Sequence, residues 1–314
     1  MTAATITGLG TALPDTRLTN ANLEARLDTS DAWIMARTGI RERRVAAPTE
    51  TSGSLAVEAS AAAIKDAGLV PDDVGLLVVA TTTPDQALPQ TSALVHEGLG
   101  LRCGAFDVGA ACAGFVHGLV VGATLLDAGG LDTVVVVGSE TLTRIVDPDD
   151  RQTVPLFGDG AAAAVLRPAT PNYGLLAWDL GCDGSASGIL AVPPGERYLR
   201  MEGQEVFRRA VRAVISSAEK ALQRAGCTAA DLDLFVPHQA NARIIALAAE
   251  RLGVPSARTM VNVDRYGNTS AASVPLALAE AADAGRLHEG DVVLLSGFGA
   301  GMAWASAVLR WGGA

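Results

Sequence analysis

A thiol, an imidazole and a carboxamide each lie in a short, distinctive segment of this 314-residue chain. Cys112 is in FDVGAACAGF, His238 in VPHQAN and Asn268 in YGNTSAAS. A cysteine sulfur can take an acyl group from a thioester, and two neutral donors can stabilise the oxyanion of an enolate. The three side chains together therefore indicate carbon–carbon bond formation on thioesters rather than hydrolysis.

Cys112 is predicted to lie where a strand over residues 105–108 leads into a helix over 113–126. The amides and dipole of a helix start favour a thiolate, so the sequence predicts a nucleophile with a lowered pKa. The alternative is an inert buried cysteine in a turn of small residues.

His238 is predicted to end a buried strand, because Pro237 fixes the strand exit and polar residues follow it. The alternative is a histidine that only satisfies the strand end, and that ordinary role is assigned to the other three histidines, His96, His117 and His288. Asn268 follows Gly267 and could equally be a turn or N-cap residue.

An internal repeat raises both candidates above those alternatives. Residues 63–81 and 221–239 match without a gap at an offset of 158, and the Asp-Ala-Gly at 127–129 matches that at 283–285 at an offset of 156. The second offset superposes Cys112 on Asn268. We therefore expect each residue to open the equivalent helix of its half.

The fold class follows from apolar strands such as GLLVVA, TVVVVG, LDLFVP and DVVLLSG that alternate with Ala-rich helices. This pattern predicts an α/β protein with buried, mostly parallel or mixed sheets and helices on both sides. A turn-rich seam at 167–174 predicts two halves, residues 1–167 with the cysteine and 168–314 with the histidine and asparagine. Active sites in such sheets form at the carboxyl ends of strands.

Composition excludes several classes of protein. The hydrophobic fraction is 49% and the charged fraction 18%, so a large core is expected rather than disorder. A net charge of −10 argues against nucleic acid as a partner. The four cysteines lack metal-site or disulfide spacing, and no segment resembles a signal peptide or a membrane span, so we expect no metal, no membrane and a cytoplasmic location.

Five segments closely resemble β-ketoacyl-ACP synthase III, the initiating condensing enzyme of fatty-acid synthesis. In order along the whole chain they are WIMARTGIRERR at 33–44, DVGAACAGF, VPHQAN, YGNTSAAS and the closing SGFGAGMAW. The resemblance implies a homodimer with the thiolase fold, built in layers from two βαβαβ halves. It also implies that Cys112, His238 and Asn268 form the catalytic triad.

The implied reaction needs no cofactor, since a CoA thioester is a substrate. Cys112 takes the acyl group from acyl-CoA, and His238 and Asn268 stabilise the enolate formed when malonyl-ACP loses CO2. The backbone amides of Cys112 and Ala300 form the implied oxyanion hole.

The resemblance also assigns binding residues. Trp33, Arg37 and Arg151 match positions that hold CoA, although the arginines could be solvated and Arg151 could serve in a salt bridge with nearby acids. Leu88 and Phe298 match the acyl pocket, where Leu88 replaces a common Phe and could admit branched or longer acyl groups. Ala300 replaces a glycine, which adds a methyl group to the oxyanion loop.

Arg243 matches a position that meets the acyl carrier protein. Segment 195–224 carries seven Lys or Arg against four Glu, and Arg208 and Arg212 share one face of a helix predicted to start near Gly203. Such a basic patch would attract an acidic carrier protein, whereas the alternative is a solvated helix face.

Three related readings stay open on the sequence. A polyketide starter-priming ketosynthase, or an acyltransferase that does not condense, would keep the same triad. A silent CoA-binding paralogue is the non-enzyme alternative, but it would be free to lose the nucleophile, which this chain keeps.

Overall fold

The structure is a computed structural model that describes residues 4–314. Within this part of the chain the strands are β1 (Ala4–Ala12), β2 (Arg17–Thr19), β3 (Glu42–Arg44), β4 (Leu76–Ala80), β5 (Gly104–Val108), β6 (Val134–Thr141), β7 (Asp159–Pro168), β8 (Gly174–Cys182), β9 (Leu190–Ala191), β10 (Arg200–Met201), β11 (Leu234–Pro237), β12 (Val292–Gly299) and β13 (Ala303–Arg310). The helices are α1 (Asn20–Glu24), α2 (Asp31–Thr38), α3 (Ser52–Asp66), α4 (Thr91–Leu99), α5 (Gly114–Asp127), α6 (Gly203–Ala225), α7 (Ala242–Leu252), α8 (Val263–Tyr266) and α9 (Ser273–Asp283).

Two mixed sheets form the core of the molecule. The first has the order β1-β7-β6-β4-β5, with β4 parallel to both neighbours and β7 antiparallel to both of its own. The second has the order β11-β12-β13-β8, in which β11 and β12 are parallel and the other pairs antiparallel. The continuous apolar runs fit this arrangement, because β4, β6, β11 and β12 are buried along their whole length.

Five layers result from the stacking of helices and sheets. Helices α3 and α4 cover the outer face of the first sheet, and α6 and α7 cover the outer face of the second. Between the sheets lie α5 and α9, whose small residues let them contact both. This confirms the predicted duplicated α/β architecture in layers.

The first sheet takes its strands from residues 4–168 and the second from 174–310. The two sheets share the central layer of α5 and α9, so the packing is continuous across the seam. The division into domains at residues 167 and 168 therefore stays a prediction.

The repeat is present, but one predicted superposition is wrong. Short turns at Ala111–Ala113 and Ser270–Ala272 lead into α5 and α9, so the two helix starts are 159 residues apart. Helix α9 has 11 residues against the 14 of α5, so the helix ends are only 156 apart. The offset of 156 therefore holds at the Asp-Ala-Gly motifs and fails at the catalytic end.

Backbone geometry at the two turns supports the offset of 159. Ala111 and Ser270 both have φ of 46°, an uncommon value for residues other than glycine. At this offset the counterpart of Cys112 is Ala271, not Asn268. Asn268 comes two residues before Ser270, so it precedes its helix turn rather than opening it.

None of the helices described for residues 4–314 is both long and apolar enough to cross a membrane.

Candidate active site

A cavity of about 160 Å³ brings the three predicted catalytic side chains together. Cys112, His238 and Asn268 all line it, along with Phe298 and Gly299 at the end of β12. The remaining lining residues are mostly apolar: Leu156, Phe157, Leu190, Met201, Gly203, Val206, Phe207, Ala240, Asn241 and Ile244. The cavity lies where β11, β12 and the start of α5 meet, which agrees with a site at the carboxyl ends of strands.

Cys112 lies in the turn before α5 rather than in the helix itself, and only 8% of the residue is exposed. Burial raises the pKa of the Cys112 thiol to about 12, the nearby Glu140 carboxylate adds to that rise, and a hydrogen bond with Ser270 opposes it. The prediction that the helix start lowers this pKa is therefore wrong. Burial disfavours the charged thiolate, so the pKa moves upwards rather than downwards.

His238 follows β11 directly, and its backbone N–H donates to Ser296 O at 2.7 Å. Its Nδ1 lies 2.5 Å from Ser273 Oγ, which also accepts the Gln239 N–H. With the hydroxyl hydrogen donated to Nδ1, the imidazole hydrogen lies on Nε2. Nε2 has no hydrogen-bond partner among residues 4–314.

The imidazole of His238 is also neutral. Burial lowers its pKa to about 3, because a charged imidazolium is costly away from water. The Phe298 ring packs edge-on against it, with centroids 5.2 Å apart and planes at 75°. A neutral imidazole with a free Nε2–H is a hydrogen-bond donor to a substrate oxygen, the role that the sequence predicted.

Asn268 is held through its backbone and its side-chain oxygen. Its N–H donates to Leu156 O at 2.8 Å, and its carbonyl accepts the Gly158 N–H. Its Oδ1 accepts the Ser270 N–H at 2.8 Å, which leaves the Nδ2 amide hydrogens for other acceptors. The side chain is nearly buried yet reaches the cavity.

Three supporting residues escaped the sequence analysis: Ser270, Ser273 and Glu140. Both serines lie in the TSAAS run after Asn268, and Glu140 comes two residues after the apolar run TVVVVG. A charged residue inside a buried strand and serines beside a candidate donor were the available signals. They were missed because none of the three is itself a typical catalytic type at that position.

The end of β12 packs tightly on Cys112. A Cβ placed on Gly299 would lie 2.5 Å from Cys112 N and 3.0 Å from Ala111 Cβ. The next residue, Ala300, does not have a positive φ. Within residues 4–314 the only non-glycine residues with positive φ are Ala111, Asn172 and Ser270. The Ala300 methyl is thus accommodated without backbone strain.

Both arginines predicted to bind CoA lie close to the Trp33 ring. The Arg37 guanidinium lies 4.4 Å and that of Arg151 5.3 Å from the centre of the indole ring. Arg151 also pairs with Asp28 at 2.8 Å, not with the acids before it in sequence. Both members of that pair are substantially exposed, so the pair contributes little stability and leaves Arg151 accessible.

This aromatic and basic cluster adjoins the cavity. Asn241 lines the cavity, caps α7 through the Arg243 N–H, and donates from Nδ2 to Arg37 O at 3.0 Å. The HQAN segment thereby joins the two parts of the predicted substrate path.

The two residues predicted for the acyl pocket lie apart. Phe298 lines the cavity, whereas Leu88 lies between β4 and α4, is 76% exposed and does not line the cavity of its own chain.

Among the predicted docking arginines, Arg243 places its guanidinium 5.6 Å from the centre of the Phe207 ring, which lines the cavity. Arg208 pairs with Glu205 on α6 at 2.5 Å. Arg209, the next arginine along α6, pairs with Glu205 and Asp183. Arg212 is exposed on the same helix and makes no ion pair within residues 4–314.

Two family profiles match the chain. 3-Oxoacyl-[acyl-carrier-protein] synthase III matches residues 106–184, and its C-terminal profile matches residues 222–311. The β-ketoacyl-[acyl-carrier-protein] synthase III of Desulfitobacterium hafniense is 44% identical, over 99% of this chain and 98% of its own length.

Solved structures agree in fold over the whole chain. The Thermus thermophilus β-ketoacyl-[acyl carrier protein] synthase III has 47% identity and a TM-score of 0.96, covering 99% of this chain and 100% of that chain. A priming β-ketosynthase from the R1128 polyketide biosynthetic pathway has 39% identity and a TM-score of 0.92, covering 98% and 96%. With identity this high over complete lengths, the chain belongs to the β-ketoacyl-ACP synthase III family of condensing acyltransferases and has the thiolase fold predicted from its motifs.

Proposed function

We propose that this chain condenses an acyl-CoA starter with malonyl-ACP, giving 3-ketoacyl-ACP, CO2 and CoA, at the initiation of fatty-acid synthesis. The observation that carries this proposal is a buried thiol facing two neutral amide and imidazole donors across one small cavity. A thiol retains the acyl group, and neutral donors stabilise an enolate without protonating it outright.

In the first half-reaction Cys112 Sγ attacks the acyl-CoA carbonyl. The sulfur–acyl bond forms as the bond to CoA breaks, and the CoA sulfur takes up the proton that the Cys112 thiol loses. The amides of Cys112 and Ala300 stabilise the tetrahedral oxyanion, and the packing of Gly299 against Cys112 N supports this placement.

In the second half-reaction His238 Nε2–H and Asn268 Nδ2–H donate to the thioester carbonyl of malonyl-ACP. The bond to the carboxylate breaks, CO2 leaves, and its electron pair forms the enolate. The enolate carbon bonds to the acyl carbonyl carbon, and the bond between that carbon and Cys112 Sγ breaks. The Cys112 thiolate takes up a proton from water as 3-ketoacyl-ACP leaves. No metal or added cofactor takes part.

Substrate binding uses the residues around the cavity mouth. The Trp33 ring with Arg37 and Arg151 offers a stacking face and positive charge for the adenine and phosphates of CoA. Arg243, Arg208 and Arg212 supply the basic face for an acidic carrier protein.

We also propose that two copies form a homodimer in the cytoplasm. Strand β5 is the outer strand of the first sheet, and its residues are exposed or half-buried, so its backbone is available for pairing with a second copy. Leu88 does not reach the cavity of its own chain, so its predicted place in the acyl pocket requires that it come from the second copy.

Intact-mass analysis after exposure to acyl-CoA tests the nucleophile. The wild type should gain one acyl group and Cys112→Ala none, and acylation of the variant would refute the assignment. His238→Ala and Asn268→Ala should each slow CO2 release from malonyl-ACP by about 10²–10³ while Cys112 still becomes acylated. Unchanged CO2 release in both variants would refute the division of roles.

A second candidate is the priming of a polyketide, which the similarity to the R1128 ketosynthase favours. A panel of acyl-CoA starters, each paired with a fatty-acid or a polyketide carrier protein, separates the two. Preference for the fatty-acid carrier supports initiation of fatty-acid synthesis, and acyl transfer without CO2 release would instead identify a plain acyltransferase.

A further inference from the structure

Glu140 is a buried carboxylate that the reaction above does not use. It closes β6, is 0% exposed, and makes no ion pair with any cation in residues 4–314. A carboxylate in such a place is tolerated only where hydrogen bonds satisfy it. Here Thr82 N–H donates at 3.0 Å, Thr83 Oγ1 at 2.7 Å and Ser270 Oγ at 2.9 Å.

The bond from Ser270 connects Glu140 to the catalytic donors. Ser270 comes from the second half of the chain and Glu140 from the first, so the bond crosses between the halves. The backbone N–H of the same serine donates to Asn268 Oδ1 at 2.8 Å. If the Asn268 amide were flipped, its NH2 would face that N–H, donor against donor, so this bond fixes which end of the amide is free.

Ser270 needs an anchor to do this. Its φ of 46° is unfavourable for a residue other than glycine, and such a conformation persists only where the surroundings hold it. The hydroxyl donates to Glu140, and this bond links the side chain to a buried group of the other half. The Thr81–Thr83 segment fixes the other side of the carboxylate.

We propose that Glu140 is a positioning residue for decarboxylation: it holds Ser270, and through the Ser270 N–H it keeps the Asn268 amide with Nδ2 directed at the malonyl thioester. The proposal rests on the role proposed above for Asn268. It predicts that Glu140 acts on the rate of CO2 release through Asn268, without contributing to attack by Cys112.

The experiment is a mutant cycle measured at saturating malonyl-ACP. Ser270→Ala cuts the link and leaves the other partners of Glu140, and Glu140→Ala removes the anchor. Each should slow CO2 release by about 10-fold or more with the KM for malonyl-ACP unchanged, since small displacements of a catalytic group are costly. Glu140→Gln keeps an acceptor for Ser270 and should recover most of the rate. Acylation of Cys112 should not fall in either Glu140 variant. In Ser270→Ala it should fall, because that variant also loses the hydrogen bond that lowers the pKa of the Cys112 thiol.

The decisive background is Asn268→Ala, in which Ser270→Ala should slow CO2 release no further. An equal additional loss there would overturn the proposal, as would a normal rate for Ser270→Ala in the otherwise wild-type chain. If Asn268→Ala itself releases CO2 normally, the proposed role of Asn268 fails and the positioning role of Glu140 falls with it. Asp179→Asn, at a buried carboxylate paired with Arg224 away from the cavity, is the control for loss of stability alone.

Discussion

The two halves of the chain repeat one contact, in which the end of a strand packs against the helix turn of the other half. Equivalent residues of the two contacts are 159 positions apart in sequence. A Cβ on Gly138 would lie 2.3 Å from Ala271 O, and one on Gly297 would lie 3.3 Å from Cys112 O. The same offset pairs Glu140 at the end of β6 with Gly299 at the end of β12.

The two contacts differ at that last pair, and also at Cys112, whose counterpart is Ala271. Glu140 fills its space and is held by Thr82, Thr83 and Ser270, so this contact becomes a support. Gly299 has no side chain, so the other contact leaves the amide and thiol of Cys112 facing the cavity. Two differences therefore separate the two contacts: Cys112 against Ala271, and Gly299 against Glu140.

A methyl group added at Gly299 should have the largest effect on the rate of condensation. In Gly299→Ala the new Cβ would meet Cys112 N at 2.5 Å, so the turn must move by most of an ångström. We expect a loss of about 10² in the rate of condensation, because displacement of a nucleophile on that scale is costly. Steady-state kinetics measure it, with Gly184→Ala as a control where a Cβ meets nothing within 4 Å. Equal rates for the two variants would contradict the close packing.

The shifted pKa values of Cys112 and His238 predict different pH dependences for the two half-reactions. Because burial raises the pKa of Cys112 to about 12, the thiol stays protonated and its thiolate fraction grows tenfold per pH unit below that value. The rate of Cys112 acylation should therefore rise about tenfold per unit between pH 7 and 9. Burial lowers the pKa of His238 to about 3, so CO2 release should show no inflection near pH 6.5. Rapid-quench mass analysis and CO2 assays across pH test both, and a plateau in acylation below pH 8 would show that the thiol is more acidic.

Most of the fold, and the three candidate side chains that line one cavity, were predictable from sequence for physical reasons. Buried strands show as continuous apolar runs, and Cys112, His238 and Asn268 belong to chemical types that stand out at strand ends. The alignment of Cys112 with Asn268 failed because α9 is three residues shorter than α5, and no sequence signal marks a lost turn in an Ala-rich helix. The predicted lowering of the Cys112 pKa was wrong because the burial that raises it depends on contacts from both halves.

Charge reversal at the mouth of the cavity should act on one substrate only. Arg243 lies on the second half over the Phe207 ring, beside the path to the thiol. Arg243→Glu should raise the KM for malonyl-ACP by roughly 10-fold and increasingly so at low salt, because rim charges govern encounter with a charged partner. Acylation of Cys112 by acyl-CoA should be unchanged. The matched control is Lys220→Glu, at an exposed lysine near the C-terminal end of α6. Equal weakening of both half-reactions in Arg243→Glu would place Arg243 in the CoA path instead.

The smallest effect is expected at Leu88, the first-half residue predicted for the acyl pocket. It is 76% exposed in a single chain, so any influence on starter choice requires a second copy that carries it to the cavity. In a homodimer, Leu88→Phe should narrow the pocket and shift preference towards acetyl-CoA over branched acyl-CoAs by about 5-fold, as expected for a change of roughly 1 kcal/mol. A panel of acyl-CoAs measures the shift, and size-exclusion chromatography with light scattering establishes that the variant stays dimeric. An unchanged profile in a dimeric variant would exclude Leu88 from the pocket wall. If both proteins prove monomeric and Leu88→Phe still shifts the acyl-CoA preference, residue 88 must reach the cavity of its own chain through movement of the segment between β4 and α4.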